Sequence, residues 1–580
     1  MSTDKSTPAR HGVPPVPSLL VPEAERAALR TAAREWPSVD LTARQMCDLE
    51  LLMNGGFAPL GGFMGEADHA SVCRDMRLAD GTLWPIPITL DVPPDIANGL
   101  GKGGRLVLRD AEGVALAVLE VDSVFTPDLA AECRAVYGTD DAAHPGVGMR
   151  MREAGKVCVG GRVLGLEMHH HYDFAELRRT PAELRAEFAA RGFTRVVGFQ
   201  TRNPMHRAHV ELVRRAAQST GAAVLIHPAV GQTKPGDIDH FTRVRGYRAL
   251  LPRFGGNATL SLLPLAMRMA GPREAVWHAI LRRNHGCTHF LVGRDHAGPG
   301  SAPDGKPWYE PFAAQELAQK CAAEIGIEIV PSPELVYVAE RDAYVGADEV
   351  RSGETVRRLS GTELRDRLLR GDEIPEWFSY EETARELRRA HPPRRQQGVA
   401  VFFTGLSGAG KSTVANVLRT RMLERGDRRV TFLDGDLVRK HLSSELGFSR
   451  EHRDLNIHRI GFVAAEVVRH GGFAICAAIA PFANARAEAR RLVEETGGFV
   501  LVHVATPLAT CEERDRKGLY AKARAGIVKQ FTGISDPYEV PADAELVIDT
   551  RDLDPGVGAD RILRFLIEQG YLPEEPATTR

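Results

Sequence analysis

Far into the chain, the run Gly405-Leu406-Ser407-Gly408-Ala409-Gly410-Lys411-Ser412-Thr413 separates the apolar stretch Val399–Phe403 from Val414–Leu423, which is patterned as a helix. Strand, G-x-x-x-x-G-K-S, helix is the order in which a phosphate-binding loop is built. Glycines let successive backbone N–H groups curl around phosphate oxygens, and Lys411 adds a point charge. Ser412 is placed to ligate a magnesium ion bridging the phosphates. A merely structural glycine turn needs neither flank, so the flanks favour nucleotide binding. The position constrains the rest: this loop belongs to a C-terminal domain, and other domains fill the 580-residue chain before it.

Those domains are legible as changes of pattern. Residues 1–175 carry short β-like runs broken by Gly and Pro, among them Leu83–Leu90 and a hairpin of Arg105–Leu108 with Val114–Val121. Helices are expected at Ala24–Trp36 and Thr42–Asn54, and the first twenty residues read as a mobile, Pro-rich arm. His169-His170-His171 can bind metal, but without further ligands it reads as a solvated boundary. From 176 to 335, strands (Thr194–Phe199, Ala222–Pro228, Thr288–Val292, Glu328–Pro331) alternate with helices (His206–Ala217, Arg273–Asn284), which predicts a parallel sheet. Residues 336–395 are more polar and read as a small helical subdomain ending in a linker, His391 to Gly398. From 396 to 580 the alternation resumes, with strands at Val399–Phe403, Val430–Leu433, Phe473–Ile479, Phe499–Ala505 and Leu546–Ile548.

Composition narrows the partners. With 74 Lys+Arg against 76 Asp+Glu the net charge is −2, so no global basic field draws nucleic acid, and anionic ligands must be held by local clusters. Eight scattered cysteines without a C-x-x-C pair argue against zinc modules and disulfides and suit a reducing cytoplasm. No apolar run has the length of a membrane span.

Three front runs each follow or begin at a strand end: Gln200-Thr201-Arg202-Asn203-Pro204-Met205-His206-Arg207-Ala208-His209, Met267-Arg268-Met269-Ala270-Gly271-Pro272-Arg273-Glu274, and Gly293-Arg294-Asp295-His296-Ala297-Gly298-Pro299-Gly300. Strand ends gather loops, and helix N-termini there bind phosphates. An ordinary helix cap accounts for His206 and His209 alone, but not for the ten-residue run, and two histidines without a third ligand fall short of a zinc site. Together the runs resemble ATP sulfurylase over about residues 20–392, supported by Asn54–Met64, Leu359–Arg365 and Ile374–Phe378. The resemblance implies a PUA-like β-rich N-terminal domain and a Rossmann-like nucleotidyltransferase domain. It implies attack of sulfate on the ATP α-phosphorus, giving adenosine 5′-phosphosulfate and pyrophosphate. Carried over, Gln200, Arg202 and the Ala297 backbone hold sulfate, and Thr201, Arg202 and Asn203 form the catalytic run. Gln200, Asn203, His206, His209, Arg273, Gly293, Arg294, Asp295 and His296 bind ATP, under a mobile loop matched by Gly231–Asp237.

Behind the phosphate loop, Asp434-Gly435-Asp436 ends a strand, where carboxylates bind Mg²⁺ or take a hydroxyl proton. The runs Arg514–Tyr520 and Phe531–Glu539 suggest a cationic lid. This set resembles adenylyl-sulfate kinase over about residues 396–570. It implies ATP bound by Gly405, Ser407, Gly408, Ala409, Gly410, Lys411, Ser412, Thr413 and Arg514. Adenylyl sulfate is expected on Arg439, Phe448, Arg453, Asn456, Lys517 and Phe531. Asp434 and Asp436 are the expected catalytic carboxylates, and Ser412 with Asp436 the expected metal ligands. Some relatives carry a phosphorylatable serine where Ile479-Ala480-Pro481 stands, so direct transfer from ATP is expected here.

The whole is an α/β multidomain enzyme, with a P-loop kinase on a parallel sheet at the rear. It is expected to use ATP with Mg²⁺ and no tightly bound cofactor, as a cytoplasmic homo-oligomer, dimer or hexamer, with neither nucleic acid nor membrane as partner. A rival reading makes the rear domain a non-catalytic nucleotide sensor, as in fungal sulfurylases of the same domain order. That reading expects a degraded phosphate loop, whereas Gly405, Gly410, Lys411 and Ser412 are intact. A second rival, a sulfurylase running in reverse to make ATP, is disfavoured by an intact kinase domain. Because the two sites lie on separate domains, Lys411→Ala is expected to abolish 3′-phosphorylation and to spare pyrophosphate release, checked by resolving both nucleotide products. Loss of both activities in a folded variant would contradict independent sites.

Overall fold

The computed structural model describes residues 17–574 apart from 154, 156, 235 and 516. Most of the Pro-rich arm expected at the start therefore lies outside the described residues. The chain divides into two compact units. One takes residues up to Leu359 together with Pro375–Glu386; the other takes Ser360–Ile374 together with residues from Leu387 onward.

Four sheets are present among the described residues. The first is mixed and belongs to the front of the chain. Its long strands Ala115–Phe125 and Val157–Gly165 pair antiparallel, and Arg105–Arg109 joins Ala115–Phe125 in the expected hairpin. The expected strand Leu83–Leu90 forms a ladder only from Leu90. Pro85 and Pro87 lack the N–H a ladder needs, so Leu83, Trp84, Ile86 and Ile88 are buried as core side chains of an irregular segment.

The second sheet is parallel, in the order Glu328–Pro331, His289–Val292, Val196–Phe199, Ala223–Ile226, Ala258–Leu260. The first strand in sequence sits in the middle, and the chain leaves it in one direction and returns on its other side. The reversal lies between Val196–Phe199 and His289–Val292, where the following loops diverge and leave a crevice. Residues 336–395, read as helical, instead open with a three-stranded antiparallel sheet of Leu335–Val338, Ala343–Gly346 and Val356–Arg357. Tyr337 and Tyr344 face each other across it, and Trp377 stacks on Tyr337, an aromatic cross-strand arrangement that outweighs the polar composition.

The fourth sheet is parallel, ordered Val430–Asp434, Phe473–Ala477, Val399–Thr404, Gly498–Val504, Leu546–Ile548. Alternate residues of its central strand serve two cores. Val399, Val401 and Phe403 pack with the helices Lys411–Arg425 and Pro555–Glu568, while Ala400 and Phe402 pack with Arg450–Arg469 and Ala483–Glu494. Burial on both faces explains why this strand is an unbroken apolar run.

In the front unit the β-rich domain is tied to the parallel-sheet domain by buried ion pairs. Arg268 holds both oxygens of the wholly buried Asp48, at 2.8 and 2.7 Å, and Arg44 reaches Asp48 at 3.2 Å. Removing Asp48 leaves the buried Arg268 guanidinium without a carboxylate, while Arg44 keeps its pair with Asp91. Asp48→Ala is therefore expected to destabilise the front unit by about 3–5 kcal/mol, seen as a lowered front-unit thermal transition while kinase-domain unfolding stays in place.

Candidate active sites

The front crevice opens on a cavity of about 330 Å³ lined by Gln200, Arg202, Asn203, His209, Arg294 and His296, among others. The loop after Val196–Phe199 is braced from within. Thr201 Oγ1 accepts the Asn203 N–H at 3.1 Å and donates to the Asn203 carbonyl at 3.0 Å, which also accepts the Tyr247 hydroxyl at 2.6 Å. Ala297, at the far lip, holds a left-handed φ of +53°, an uncommon conformation for a residue with a Cβ. Thr201, Gly293, Asp295 and Ala297 line the same cavity.

His206 and His209 sit where the helix Arg207–Thr220 begins. His209 Nδ1 accepts the His206 N–H at 3.1 Å, capping the helix, and His206 Nδ1 meets Ser379 Oγ at 3.0 Å over the ring of Phe378. Burial pulls His206 down to about 3 and His209 down to about 4. Both rings are neutral near pH 7, so they offer N–H groups rather than charge. His296 is tied behind the cavity to His278 Nδ1 at 2.9 Å, and His278 Nε2 lies 3.2 Å from Glu274 in a poorly aligned contact. Glu274 is held by the N–H groups of Arg268 and Ala270.

The cations at this site are already engaged. Arg202 Nη1 reaches both oxygens of Asp237 at 2.7 and 2.6 Å, and its Nη2 donates to the Gly298 carbonyl at 3.1 Å. Arg294 is paired with Asp295 and Glu334, which holds its pKa above the usual value. Arg273, expected on ATP, is not brought to the cavity. Its guanidinium donates to the carbonyls of Val72, Cys73 and Pro85, anchoring the helix Gly271–Asn284 to the β-rich domain.

The rear site follows the central strand of its sheet, between Phe473–Ala477 and Gly498–Val504, where the strand order reverses. Gly405 has φ +147°, and a Cβ there would lie 2.5 Å from the Val504 carbonyl oxygen. Gly410, at φ +96°, leads into the helix Lys411–Arg425, so the loop's N–H groups and the helix terminus converge. Thr506 and Thr550 both donate to the Ala409 carbonyl, and Tyr520 donates to that of Ser407. Lys411 donates to the carbonyls of Gly405 and Leu406 at 2.9 and 2.7 Å, and burial lowers it to about 8. Arg514 donates to Thr550 Oγ1 and to its carbonyl. Thr413 is exposed beside them.

The expected metal pair was Ser412 and Asp436. The structure instead places Ser412 Oγ 3.0 Å from Asp434 Oδ2, and the other Asp434 oxygen caps the Asp436 N–H. Asp436 meets Lys517 Nζ at 2.5 Å. Ser412, on the helix Lys411–Arg425, and Asp434, at the end of the strand Val430–Asp434, offer hard oxygen donors of the kind Mg²⁺ takes. On the acceptor side Arg439 lies 4.5 Å over the exposed Phe448 ring and donates to the Leu446 and Gly447 carbonyls. Arg453 is paired with Asp536 and donates to Thr532 Oγ1. Phe531 packs edge-on against Tyr520, and Asn456 is buried with Oδ1 unpartnered. Among the described residues no cluster of three or more His, Cys, Asp or Glu is arranged to hold a metal, and no helix is long and apolar enough to cross a membrane.

Residue patterns had singled out most of these groups but missed Thr550, Arg282 and His278. The last two had a signal: Glu274, His278 and Arg282 recur every four residues along one face of the helix Gly271–Asn284.

Comparison with known proteins agrees with this geometry. The ATP-sulfurylase family model matches residues 175–390, adenylylsulphate kinase 397–549, and a PUA-like domain 8–168. A curated protein of Phaeosphaeria nodorum named sulfate adenylyltransferase is 52% identical over 95% of this chain and 96% of its own length. The chain belongs to the sulfate adenylyltransferase family. A second relative of that name, from Mycosarcoma maydis, is 52% identical over 92% of this chain and 94% of its own. A solved structure described as a hexameric APS kinase from Thiobacillus denitrificans is 38% identical, with a TM-score of 0.79 over 96% of this chain and 98% of that one. The expected fold class stands. This enzyme joins a nucleotidyltransferase and a phosphotransferase in one polypeptide, the two activities of two-step sulfate activation.

The buried imidazoles predict acid lability. For His206, His209, His144 and His285, burial depresses the folded-state pKa to between about 3 and about 4. Between pH 6.5 and 4 the unfolded chain therefore binds more protons than the folded one, and stability falls as pH falls. Each such ring costs about 2 kcal/mol at pH 5 relative to pH 8. The front-unit melting transition should drop steeply from pH 7 to 5. A flat profile would show that these rings are protonated in the fold.

Proposed function

We propose that the front cavity binds sulfate on Gln200, Arg202 and the Ala297 backbone, and the phosphates of MgATP against Asn203, His206, His209 and Arg294. A sulfate oxygen attacks the α-phosphorus, the bond to the β-phosphate bridge breaks, and pyrophosphate leaves. No covalent enzyme nucleophile is needed: holding two anions in line and neutralising the leaving group can carry the step. Sulfate takes the Arg202 fork by displacing Asp237.

At the rear, the 3′-hydroxyl of adenosine phosphosulfate attacks the ATP γ-phosphorus, ADP leaves, and the hydroxyl proton goes to a carboxylate. Lys411 and the loop N–H groups hold the phosphates. Ser412 and Asp434 face the Mg²⁺ that arrives with ATP. Asp436, beside the lid residue Lys517, takes the proton, and Arg439, Arg453, Asn456, Phe448 and Phe531 hold the acceptor. The observation that carries this reading is the placement of both residue sets at the strand-order reversal of their own parallel sheets. We further propose a cytoplasmic homo-oligomer.

Kinship with fungal proteins named sulfate adenylyltransferase keeps the sensor reading as the second choice. Turnover decides. The wild-type protein is expected to phosphorylate adenosine phosphosulfate and to show hyperbolic sulfurylase kinetics. An inert kinase domain, with sulfurylase made cooperative by 3′-phosphoadenylyl sulfate, would install the sensor. Within the kinase, Asp436→Asn should lower kcat about 100-fold or more with the Mg²⁺ requirement unchanged, while Asp434→Asn should raise that requirement. The opposite pattern would exchange the two roles.

A further inference from the structure

Arg282 lies wholly buried on the helix Gly271–Asn284, behind the sheet that carries the front cavity. Its stem passes under Gly198, where a Cβ would come within 2.7 Å of Arg282 Cγ. One terminal nitrogen, Nη2, donates both to Gln200 Oε1 and, at 3.0 Å, to the His227 carbonyl. Among the described residues, Nε and Nη1 find no hydrogen-bond partner. The guanidinium lies 5.4 Å from the Phe290 ring centroid. Among the described residues no carboxylate is paired with it, in contrast to Arg44, Arg150, Arg202 and Arg268 of the same unit. Burial lowers its pKa to about 9, so it is charged near pH 7.

Two physical consequences follow. A guanidinium has donors and no acceptor, so the Gln200 amide must present its oxygen to Arg282. Its NH₂ then turns the other way, toward Met267 Sδ at 3.6 Å and the cavity that Gln200 and Met267 both line. In the opposite orientation two donors would collide. A buried cation without a counter-charge is also expensive to keep.

We propose that Arg282 is a positioning residue for the sulfurylase step, fixing the Gln200 amide as a hydrogen-bond donor toward the oxyanion that Gln200 receives. The inference rests on the reading that Gln200 holds sulfate. It predicts that Arg282 governs affinity for sulfate rather than for ATP, and does so through Gln200.

The test is a double-mutant cycle in the full chain, using Arg282→Met, Gln200→Ala and the pair, with pyrophosphate release followed against sulfate and ATP. Arg282→Met should raise the sulfate KM about tenfold or more and leave the ATP KM within about twofold. In the Gln200→Ala background the same substitution should change the sulfate KM less than about twofold. Additive effects, or sulfate and ATP KM rising together, would overturn the proposal and leave Arg282 a packing residue. If Gln200→Ala raises the sulfate KM but Arg282→Met does not, only this inference falls. If Gln200→Ala leaves it unchanged, the assignment of Gln200 to sulfate fails as well. Arg282→Lys covers the case in which the methionine variant does not fold. It keeps a charge, but its ammonium ends one bond short of the Nη2 position that meets both Gln200 and His227, and it is expected to raise the sulfate KM alone. An unchanged value there also overturns the proposal.

Discussion

Two phosphate-bearing substrates cannot be held by a chain whose net charge is −2 unless positive potential is concentrated locally. Parallel sheets do this with backbone as much as with side chains. Where the strand order reverses, adjacent loops part, helix N-termini turn inward, and N–H groups without intrahelical partners point at one spot. Both units use this device once. The loop after Val196–Phe199 and the loop after Val399–Thr404 each follow the first strand of their own parallel sheet, and each runs into a helix at His206 and Gly410. The rest of each unit is arranged to keep that strand central and buried on both faces.

Side-chain cations are added sparingly and are kept neutralised by the protein itself. Arg202 rests on Asp237, Arg453 on Asp536 and Lys517 on Asp436. Asp237 and Asp536 lie in loops, and Asp436 in the first turn of the short helix Gly435–His441. Arg282 departs from the pattern, being buried without such a partner. Its neighbours His227 and His285 are also desolvated and neutral, so Arg282 carries its charge among uncharged imidazoles behind Gln200.

Much of this was legible in the residue order. The phosphate loop was readable because its chemistry needs glycine where a Cβ would strike Val504, and the strand–helix alternation announced both parallel sheets. What resisted reading was decided by tertiary context. Proline spacing in Leu83–Leu90 broke a ladder that side-chain alternation suggested. The aromatic pair Tyr337 and Tyr344 turned a polar stretch into a sheet. Arg273 stands in a site-like motif, yet its position one turn into a helix points it at carbonyls of the neighbouring domain. The choice between Asp434 and Asp436 beside Ser412 turned on where the strand stops: Asp434 is its last residue and Asp436 already lies in the following helix, which spacing alone does not fix.

The contact between Arg202 and Asp237 has a kinetic meaning. Asp237 is a competitor on a tether, so its effective concentration at the Arg202 fork is set by loop geometry and does not fall when the solution is diluted. On the proposal that Arg202 holds sulfate, the incoming oxyanion has to displace it. An internal rival of this kind weakens capture at low ligand levels, but it also re-enters the fork as a bound anion departs. On that proposal, the carboxylate that limits affinity also helps clear the site between turnovers.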